Sequence, residues 1–175
     1  MSGNALGRWL FGKLPSHGDF VARGLDQARR DALDVWLTGE MEAARLAWPD
    51  DFDQRYMAAP AWSFVMQADG GQWAGGALGA WVDGVGGRSP LVMAAPADDA
   101  GQAVAAAAGC LQAMAEGFAG AWDADSLFRA DLHGPDLPWQ PDGPAWALVG
   151  EGGPAVERRG LWPQGVVTTM MELAG

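Results

Sequence analysis

The 175-residue sequence contains few of the residues that form covalent staples, reactive sites or membrane spans. Its single cysteine, Cys110, excludes a framework of intramolecular disulfides and suits a reducing compartment. No apolar run reaches the ~20 residues that a bilayer-spanning helix requires, and the N-terminal segment lacks the apolar stretch of a signal peptide. These absences predict a cytoplasmic protein with no direct insertion into a membrane.

Positive charge is also scarce, because 22 Asp and Glu residues outnumber 11 Lys and Arg residues and the formal net charge is −11. Nucleic acids and anionic lipids are held mainly by Lys and Arg, so the balance predicts no nucleic-acid partner. It is compatible with a weakly cationic protein partner, and equally with a solvated acidic surface that has no specific partner.

Composition and length predict a single domain over residues 1–175. Hydrophobic residues form 49% of the chain, as in ordinary globular proteins, and a domain of this size buries a sufficient core without disulfides or metals. A second independent core would leave both halves small. Residues 122–141, rich in Asp and Pro, are expected to be mostly loop.

The apolar pattern predicts an α+β fold. Residues recur at helical spacing from a cap at Asp26 to about Ala47, and from a cap at Asp98 or Asp99 through a buried stripe that ends at Phe118. Alternating apolar residues between short Gly-rich turns predict antiparallel strands. We expect a mainly antiparallel sheet flanked by two long helices and a short C-terminal helix, in a single, layered α/β domain. The predicted strands are residues 9–14, 61–68, 72–82, 90–95, 145–150 and 155–159, and the predicted short helices are residues 51–57 and one that opens at Pro163.

Few residues could carry out chemistry. His17 and Asp19 lie in one predicted loop and Asp131 and His133 in another, and imidazole with carboxylate suits divalent metals. Their spacing matches no metal motif, however, and nothing in the sequence brings the two loops together. Cys110 lies among apolar residues of a helix and is expected to be a buried, unreactive thiol. We predict no catalytic residues, metal or cofactor and no enzymatic activity. The alternative is a metal-dependent enzyme that uses His17, Asp19 and His133.

Glycine clusters at residues 75–79 and 84–87 raise the alternative of a nucleotide-binding loop. A dinucleotide loop must open a helix whose amino end faces the pyrophosphate, whereas these clusters lie within a strand and between two strands. No Gly-Lys-Ser/Thr sequence occurs either. Strand twist and turn geometry are the better explanation of these glycines.

Ten tryptophans are unusual in a chain of this size. Those on regular elements are expected in the core. Trp122, Trp139 and Trp162 lie in irregular segments, and tryptophan is enriched at the hot spots of protein interfaces. These three residues are therefore candidates for a protein-binding face.

The segment from Phe11 to Leu25, FGKLPSHGDFVARGL, carries the most specific signal. It resembles the opening signature of the TagF (ImpM) family of type VI secretion proteins at nearly every position. Further matches follow in the family's order, strongly to about Pro96 and loosely thereafter. They are residues 36–37, 59–64, 73–75, 85–91 and 160–163. The chain departs from the family pattern at Asp26, where proline is usual, and at Ser89, where an aromatic residue is usual.

The resemblance implies a non-enzymatic, post-translational negative regulator of the bacterial type VI secretion system. TagF-like proteins are thought to hold a forkhead-associated scaffold protein and to keep it from licensing assembly at the inner membrane. They act alongside, or independently of, a threonine kinase and phosphatase pair. No catalytic residues are known for the family, so the resemblance assigns none. A structural adaptor of the secretion apparatus is a further alternative.

Seven signature residues are predicted to contact the partner. Lys13 and Arg23 supply charge, and Phe20 supplies an apolar anchor. The alternative is that Pro15 and the glycines of segment 12–25 only set the geometry of the backbone. The predicted partner-binding residues are Lys13, Pro15, His17, Asp19, Phe20, Arg23 and Arg88.

Overall fold

The computed structural model describes residues 7–13, 20–68, 70–82 and 87–174. Within these residues the chain forms seven strands and five helices. The strands are β1 (Trp9–Lys13), β2 (Phe20–Arg23), β3 (Trp62–Gln67), β4 (Trp73–Gly79), β5 (Leu91–Ala97), β6 (Ala145–Gly150) and β7 (Gly153–Arg159). The helices are α1 (Gln27–Ala47), α2 (Phe52–Ala58), α3 (Ala100–Ala119), α4 (Ala124–Phe128) and α5 (Val166–Glu172).

The strands form one sheet in the order β2-β1-β5-β4-β3-β6-β7, and every neighbouring pair is antiparallel. The predicted α+β class with a mainly antiparallel sheet is confirmed. Strand β2 is absent from the prediction. It forms by pairing with β1, from Leu10 opposite Arg23 to Lys13 opposite Phe20. A strand of four residues with one buried side chain, Val21, is too short for its alternation to be recognised.

Helices cover both faces of the sheet. The helices α1, α2 and α5 share one core with the sheet residues Trp62, Phe64 and Trp146. The helices α3 and α4 share another core with Ala77 and Met93 on the opposite face. Because both faces are covered, five successive residues of β3 are buried. The sheet is therefore the middle of three layers.

Side-chain caps begin both long helices where the sequence predicts them. The Asp26 carboxylate accepts a hydrogen bond from the Arg29 backbone N–H at 2.8 Å, and α1 ends where predicted. Asp99, rather than Asp98, caps α3 by accepting from the Gln102 N–H at 2.8 Å. The Gln102 side chain returns the contact, because its oxygen accepts from the Asp98 N–H at 3.3 Å. These bonds satisfy N–H groups that a helix N-terminus leaves without partners.

Two predicted details are wrong. Phe118 is 40% exposed, because it lies in the last turn of α3, where its ring meets Trp81 edge-on. Helix α5 begins three residues after Pro163, because Gly165 precedes it with a left-handed φ of +81°. The prediction that residues 122–141 are mostly loop is confirmed, since the five-residue helix α4, whose first turn Asp123 caps, is the only helix or strand in that fully described segment.

The segment between β7 and α5 is held by three buried or half-buried tryptophans. The indole N–H groups of Trp36, Trp62 and Trp146 donate to backbone carbonyls within residues 161–166, at 2.8 to 3.3 Å. The three donors come from α1, β3 and β6. Buried indole groups normally find such a partner, and here the partners belong to one connecting segment.

A buried carboxylate holds the same segment. Glu40 on α1 is only 5% exposed, although glutamate is rarely buried unless its charge is paired or hydrogen-bonded. It accepts hydrogen bonds from the backbone N–H of Gly165 at 2.8 Å and of Val167 at 3.2 Å. Glu40 thereby caps α5, because the N-cap residue of that helix, Gly165, has no side chain that could do so.

Gly39→Ala is expected to raise the free energy of unfolding by about 0.5–1 kcal/mol, because glycine disfavours a helix interior. Gly39 is exposed on α1, and a Cβ built on it meets no heavy atom within 4 Å. Urea unfolding followed by circular dichroism measures the change. The reverse exchange at an exposed neighbour, Ala43→Gly, should lower stability by a similar amount. A loss of stability in Gly39→Ala would contradict the open surroundings of this glycine.

Candidate partner-binding site

Two separate stretches of the family signature meet at one end of the sheet. Strand β1 ends at Lys13 and β2 begins at Phe20, and these two residues pair with each other. The residues before β5 reach the same end. A Cβ built on Gly12 would lie 2.5 Å from the Pro90 carbonyl oxygen and 2.9 Å from the Leu91 Cα. We name this region the signature end, and its described residues are Phe11, Gly12, Phe20, Asp53, Tyr56, Trp81, Arg88 and Pro90.

Two glycines of the signature are required by the backbone. Gly12 has a φ of +146° and no room for a side chain, so glycine is what allows β1 to lie against the start of β5. Gly24 has a φ of +72°, and a Cβ built on it would run into the carbonyl oxygen of Arg8. These two positions fit the alternative that part of the segment sets backbone geometry.

Phe20 presents an apolar surface at the signature end. Its ring stacks on that of Phe11, with 5.5 Å between the centroids and 21° between the planes. Phe11 is buried, whereas Phe20 is 48% exposed. A buried ring beneath an exposed one restricts its rotamers, so less entropy is lost when a partner covers it. Phe20 therefore suits the role of an apolar anchor.

Arg88 joins the connection between β4 and β5 to helix α2. Its Nε lies 3.5 Å from the Asp53 Oδ1, and Arg88 forms an antiparallel bridge with Val82. The Asp53 side chain is mostly exposed, so the ion pair contributes about 0–1 kcal/mol. The Arg88 side chain is itself only 25% exposed and its Nε is buried, so a partner could reach only part of it.

Tyr56 holds α2 against the segment that follows β4. Its hydroxyl donates to the Trp81 carbonyl at 2.8 Å and accepts from the Trp81 N–H at 2.9 Å. Burial raises the pKa of Tyr56 well above its usual value, and the hydrogen bond from Trp81 opposes this only in part. The hydroxyl is therefore protonated at neutral pH and supports the site by packing. Sequence reasoning missed Tyr56, although it is the only tyrosine in the chain.

Arg23 lies at the other end of β2, roughly 10 Å along the strand from Phe20. Its Nε lies 2.9 Å from the Asp125 Oδ1 and links β2 to α4. Its Nη1 donates to the Ala22 carbonyl at 3.0 Å. The structure therefore places Phe20 and Arg88 at the signature end and Arg23 away from it, in an ion pair within the chain.

The remaining predicted contacts cannot be placed. Pro15, His17 and Asp19 lie outside the described residues, and so does the side chain of Lys13. That these four residues contact a partner stays a prediction.

The second candidate loop lies far from the signature end. His133 is exposed, and its neighbour Leu132 packs on α3, where a Cβ built on Gly109 would lie 2.8 Å from the Leu132 Cβ. Leu132 also shares a shallow hollow with Arg8 and Pro96, at the opposite end of β1 and β5. In the described parts of the chain, no group of three His, Cys, Asp or Glu side chains is placed to hold a metal ion.

Cys110 is buried between α3 and β4, where its Sγ lies 3.9 Å from the Gly75 carbonyl oxygen. Burial raises the pKa of the thiol to about 12, and the charge of Arg8 opposes this only in part. The thiol is therefore protonated near neutral pH and is a poor nucleophile. The prediction that Cys110 is buried is confirmed, and the raised pKa fits the prediction that it is unreactive.

The three loop tryptophans do not form an exposed face, so that prediction is wrong. Trp139 is buried, and its indole N–H donates to the Glu157 carboxylate at 3.2 Å. Trp162 joins a cluster of rings around Trp146, and Trp122 packs against the core beneath α3 and α4. The segments are irregular, but they fold back over the sheet, so Trp139 is buried and Trp122 and Trp162 are half-buried.

Residues 9–125 match the TagF N-terminal domain, which is described as type VI secretion system-associated. The chain belongs to the TagF family. This TagF-family protein is therefore associated with type VI secretion, as the signature segment predicts. The two parts of the signature end, around Gly12 and around Pro90, both lie within the matched residues.

PA0076 from Pseudomonas aeruginosa PAO1, whose crystal structure is known, is similar to the TagF-family chain over 94% of each chain, with a TM-score of 0.69 and 20% sequence identity. At this identity the likeness shows the fold alone. No curated protein matches the sequence. None of the described helices is long and apolar enough to cross a bilayer.

Proposed function

We propose that this protein is a cytoplasmic, post-translational negative regulator of the type VI secretion system, and that it acts by binding a forkhead-associated scaffold protein. The observation that carries the proposal is the contact between Gly12 and Pro90. Two signature stretches nearly eighty residues apart build one surface there. Recognition of a partner would explain why two distant stretches of the family signature are brought together at one surface.

The chemistry of the signature end suits recognition of a protein surface. Phe20 offers a half-exposed ring supported from below, and Arg88 offers a side chain that is 25% exposed beside the mostly exposed Asp53. Aromatic and arginine side chains carry much of the binding energy at protein interfaces. Lys13, Pro15, His17 and Asp19 stay predicted contacts, on the strength of the signature segment alone.

Phe20→Asp is expected to weaken binding of the purified scaffold protein from the same secretion cluster at least tenfold, or about 1.4 kcal/mol. The substitution removes the apolar anchor and places a charge where the interface excludes water. Isothermal titration calorimetry measures the affinity. Thermal unfolding should change little, because Phe20 is half-exposed at the edge of the sheet.

The matched control for this prediction is Leu161→Asp. Leu161 is 43% exposed and lies beyond the far end of β7, away from the signature end, so its affinity should equal that of the wild type. If Phe20→Asp bound the scaffold as tightly as the wild type, the segment would only set backbone geometry. Gly12→Ala would then lower stability without any separate effect on recognition.

The regulatory role is tested in cells. Deletion of the gene should raise secretion under repressive conditions, and overproduction of the protein should stop it. Unchanged secretion under both repressive and permissive conditions would contradict the proposal. If the protein instead sedimented with assembled secretion particles and its loss abolished them, it would be a structural adaptor.

A further inference from the structure

The outward face of α1 carries the two most exposed large hydrophobic residues of the described chain, Leu46 at 83% and Val35 at 74%. They are eleven residues apart, so on a helix they point in directions only about 20° apart. Single exposed apolar residues are normal and need no explanation. Two exposed apolar residues on the same face of one helix, however, mark that face as a candidate contact surface.

Small side chains fill the positions around and between them. Ala28, Ala32, Gly39 and Ala43 are all exposed on this face, and together with Val35 and Leu46 they recur at spacings of three and four residues. The face lies opposite the buried side of α1, and it extends for about 27 Å along the helix. A Cβ built on Gly39 has no neighbour within 4 Å, so the middle of the face is open. We name it the outer α1 groove, because its small side chains lie between the larger Val35 and Leu46; its residues are Ala28, Ala32, Val35, Gly39, Ala43 and Leu46.

The spacing of the residues in the outer α1 groove suits the packing of another helix. Apolar residues at spacings of three and four are what a helix presents to a packed partner helix. Small residues between larger ones leave room for the ridge of side chains on that partner. A helix of about 18 residues would match the length of the groove.

The charges beside the outer α1 groove indicate which kind of partner helix would bind there. Asp31, Asp34 and Glu42 lie along one rim of the groove, and all three are exposed. The cation on the same rim is Arg45, whose guanidinium lies over the Phe52 ring at 4.9 Å from its centroid. The rim is therefore predominantly acidic, and it would attract Lys and Arg side chains beside the apolar ridge of a partner.

A second copy of the chain fits this rim poorly. If two α1 helices packed antiparallel about Gly39, Glu42 of one copy would face Asp34 of the other. Each copy also carries a formal net charge of −11. Like charges placed together across an interface disfavour that pairing. A basic partner meets neither difficulty.

We propose that the outer α1 groove docks a basic amphipathic helix of another protein, with its apolar ridge between Val35 and Leu46 and its Lys or Arg residues along the rim of Asp31, Asp34 and Glu42. This surface is separate from the signature end. The proposal therefore does not rest on the scaffold-binding function, and Phe20→Asp should leave it unaffected.

The test uses a fluorescein-labelled peptide of about 18 residues that forms a Leu/Lys amphipathic helix, titrated with the full chain and followed by fluorescence anisotropy. We expect saturable binding that Leu46→Asp weakens at least about tenfold. The direction of the change in affinity is informative. Leu46→Asp adds negative charge, so it would tighten binding of the basic peptide if the attraction were purely electrostatic.

Phe118→Asp is the matched control. Phe118 is also an exposed apolar residue, but it lies on α3, on the other face of the sheet. This variant adds the same charge and should bind the peptide as tightly as the wild type. Circular dichroism checks that both variants keep their helices, as expected for substitutions at exposed positions.

Four outcomes would overturn the proposal. The first is no saturable binding of the peptide. The second is equal or tighter binding by Leu46→Asp, which would show attraction by net charge alone. The third is a dimer of the free wild-type protein in sedimentation velocity that Leu46→Asp dissolves, which would make a second copy the occupant. The fourth is a set of peptide-induced amide shifts in an ¹⁵N spectrum that centre on Asp50, Asp51 and Asp53. Shifts that centre on residues 28–46 would support the proposal.

Discussion

Gly75→Ala is expected to lower the free energy of unfolding by about 3 kcal/mol or more. Gly75 lies in β4 beneath α3, and a Cβ built on it would run into the backbone of Ala103, whose carbonyl carbon is 2.5 Å away and whose Cα is 3.0 Å away. No Cβ packs so close to a backbone, so α3 would have to move away from the sheet. Its buried alanines and Cys110 would then lose contact with β3, β4 and β5.

The matched control is Gly79→Ala, the same exchange on the same face of the same strand. A Cβ on Gly79 would lie 3.1 Å from the Met114 Cε, the end of a flexible side chain that can move. We expect its stability to stay within about 0.5–1 kcal/mol of the wild type, measured in parallel by urea denaturation. Neither glycine has a left-handed φ. Equal losses in the two variants would show that the approach of α3 is not the cause.

The glycines of β4 were predicted to lie in a strand, but the reason for them was predicted only in part. Strand twist was the predicted reason for the cluster at residues 75–79, and for Gly75 that explanation is wrong. The reason is the close approach of α3, whose many Ala and Gly residues leave room for it. A nucleotide-binding loop is also excluded for this cluster, because Gly75 and Gly79 both lie within a strand.

The sequence predicted the features that local chemistry controls. Asp26 and Asp99 cap their helices by accepting hydrogen bonds from N–H groups three residues away. Such contacts can be predicted because both partners lie within one short stretch of sequence. Gly70 and Gly71, in the predicted turn between β3 and β4, have φ values of +88° and +85°. A tight hairpin needs such angles, so the pair of glycines was a sufficient signal.

The features that the sequence did not predict depend on distant partners. The Glu40 carboxylate bonds to N–H groups 125 and 127 residues away, and no local pattern distinguishes it from an exposed glutamate. The burial of β3 on both faces follows from helices on both sides of the sheet, which a period of two residues does not reveal. The short strand β2 forms only because β1 lies beside it.

The candidate site was predicted in part for the same reason. Phe20 and Arg88 were chosen from signature segments, and the structure places both at one end of the sheet. Arg23 stood in the same segment, but alternation along β2 does not show that Asp125 would pair with it. Tyr56 and Trp81 were missed, because the hydrogen bonds between them join positions that no motif links.

Glu40→Ala is expected to lower the free energy of unfolding by about 3 kcal/mol. The substitution leaves the N–H groups of Gly165 and Val167 buried or half-buried without an acceptor, and hydrogen bonds to a charged group contribute about 1.5–3 kcal/mol each. It also removes a negative charge from the N-terminus of α5. For a chain of this length the melting temperature should fall by about 10 °C, measured by calorimetry.

Two further variants separate the cap from other effects of the substitution. Glu40→Gln keeps one acceptor oxygen but loses the charge, so we expect an intermediate loss of about 1–2 kcal/mol. Glu42→Ala removes the same charge from an exposed position two residues along α1, and its stability should stay within about 0.5 kcal/mol of the wild type. If Glu42→Ala were as costly as Glu40→Ala, the loss would come from the charge balance of α1. If only Glu40→Ala is costly, docking of the C-terminal helix depends on one carboxylate that α1 supplies.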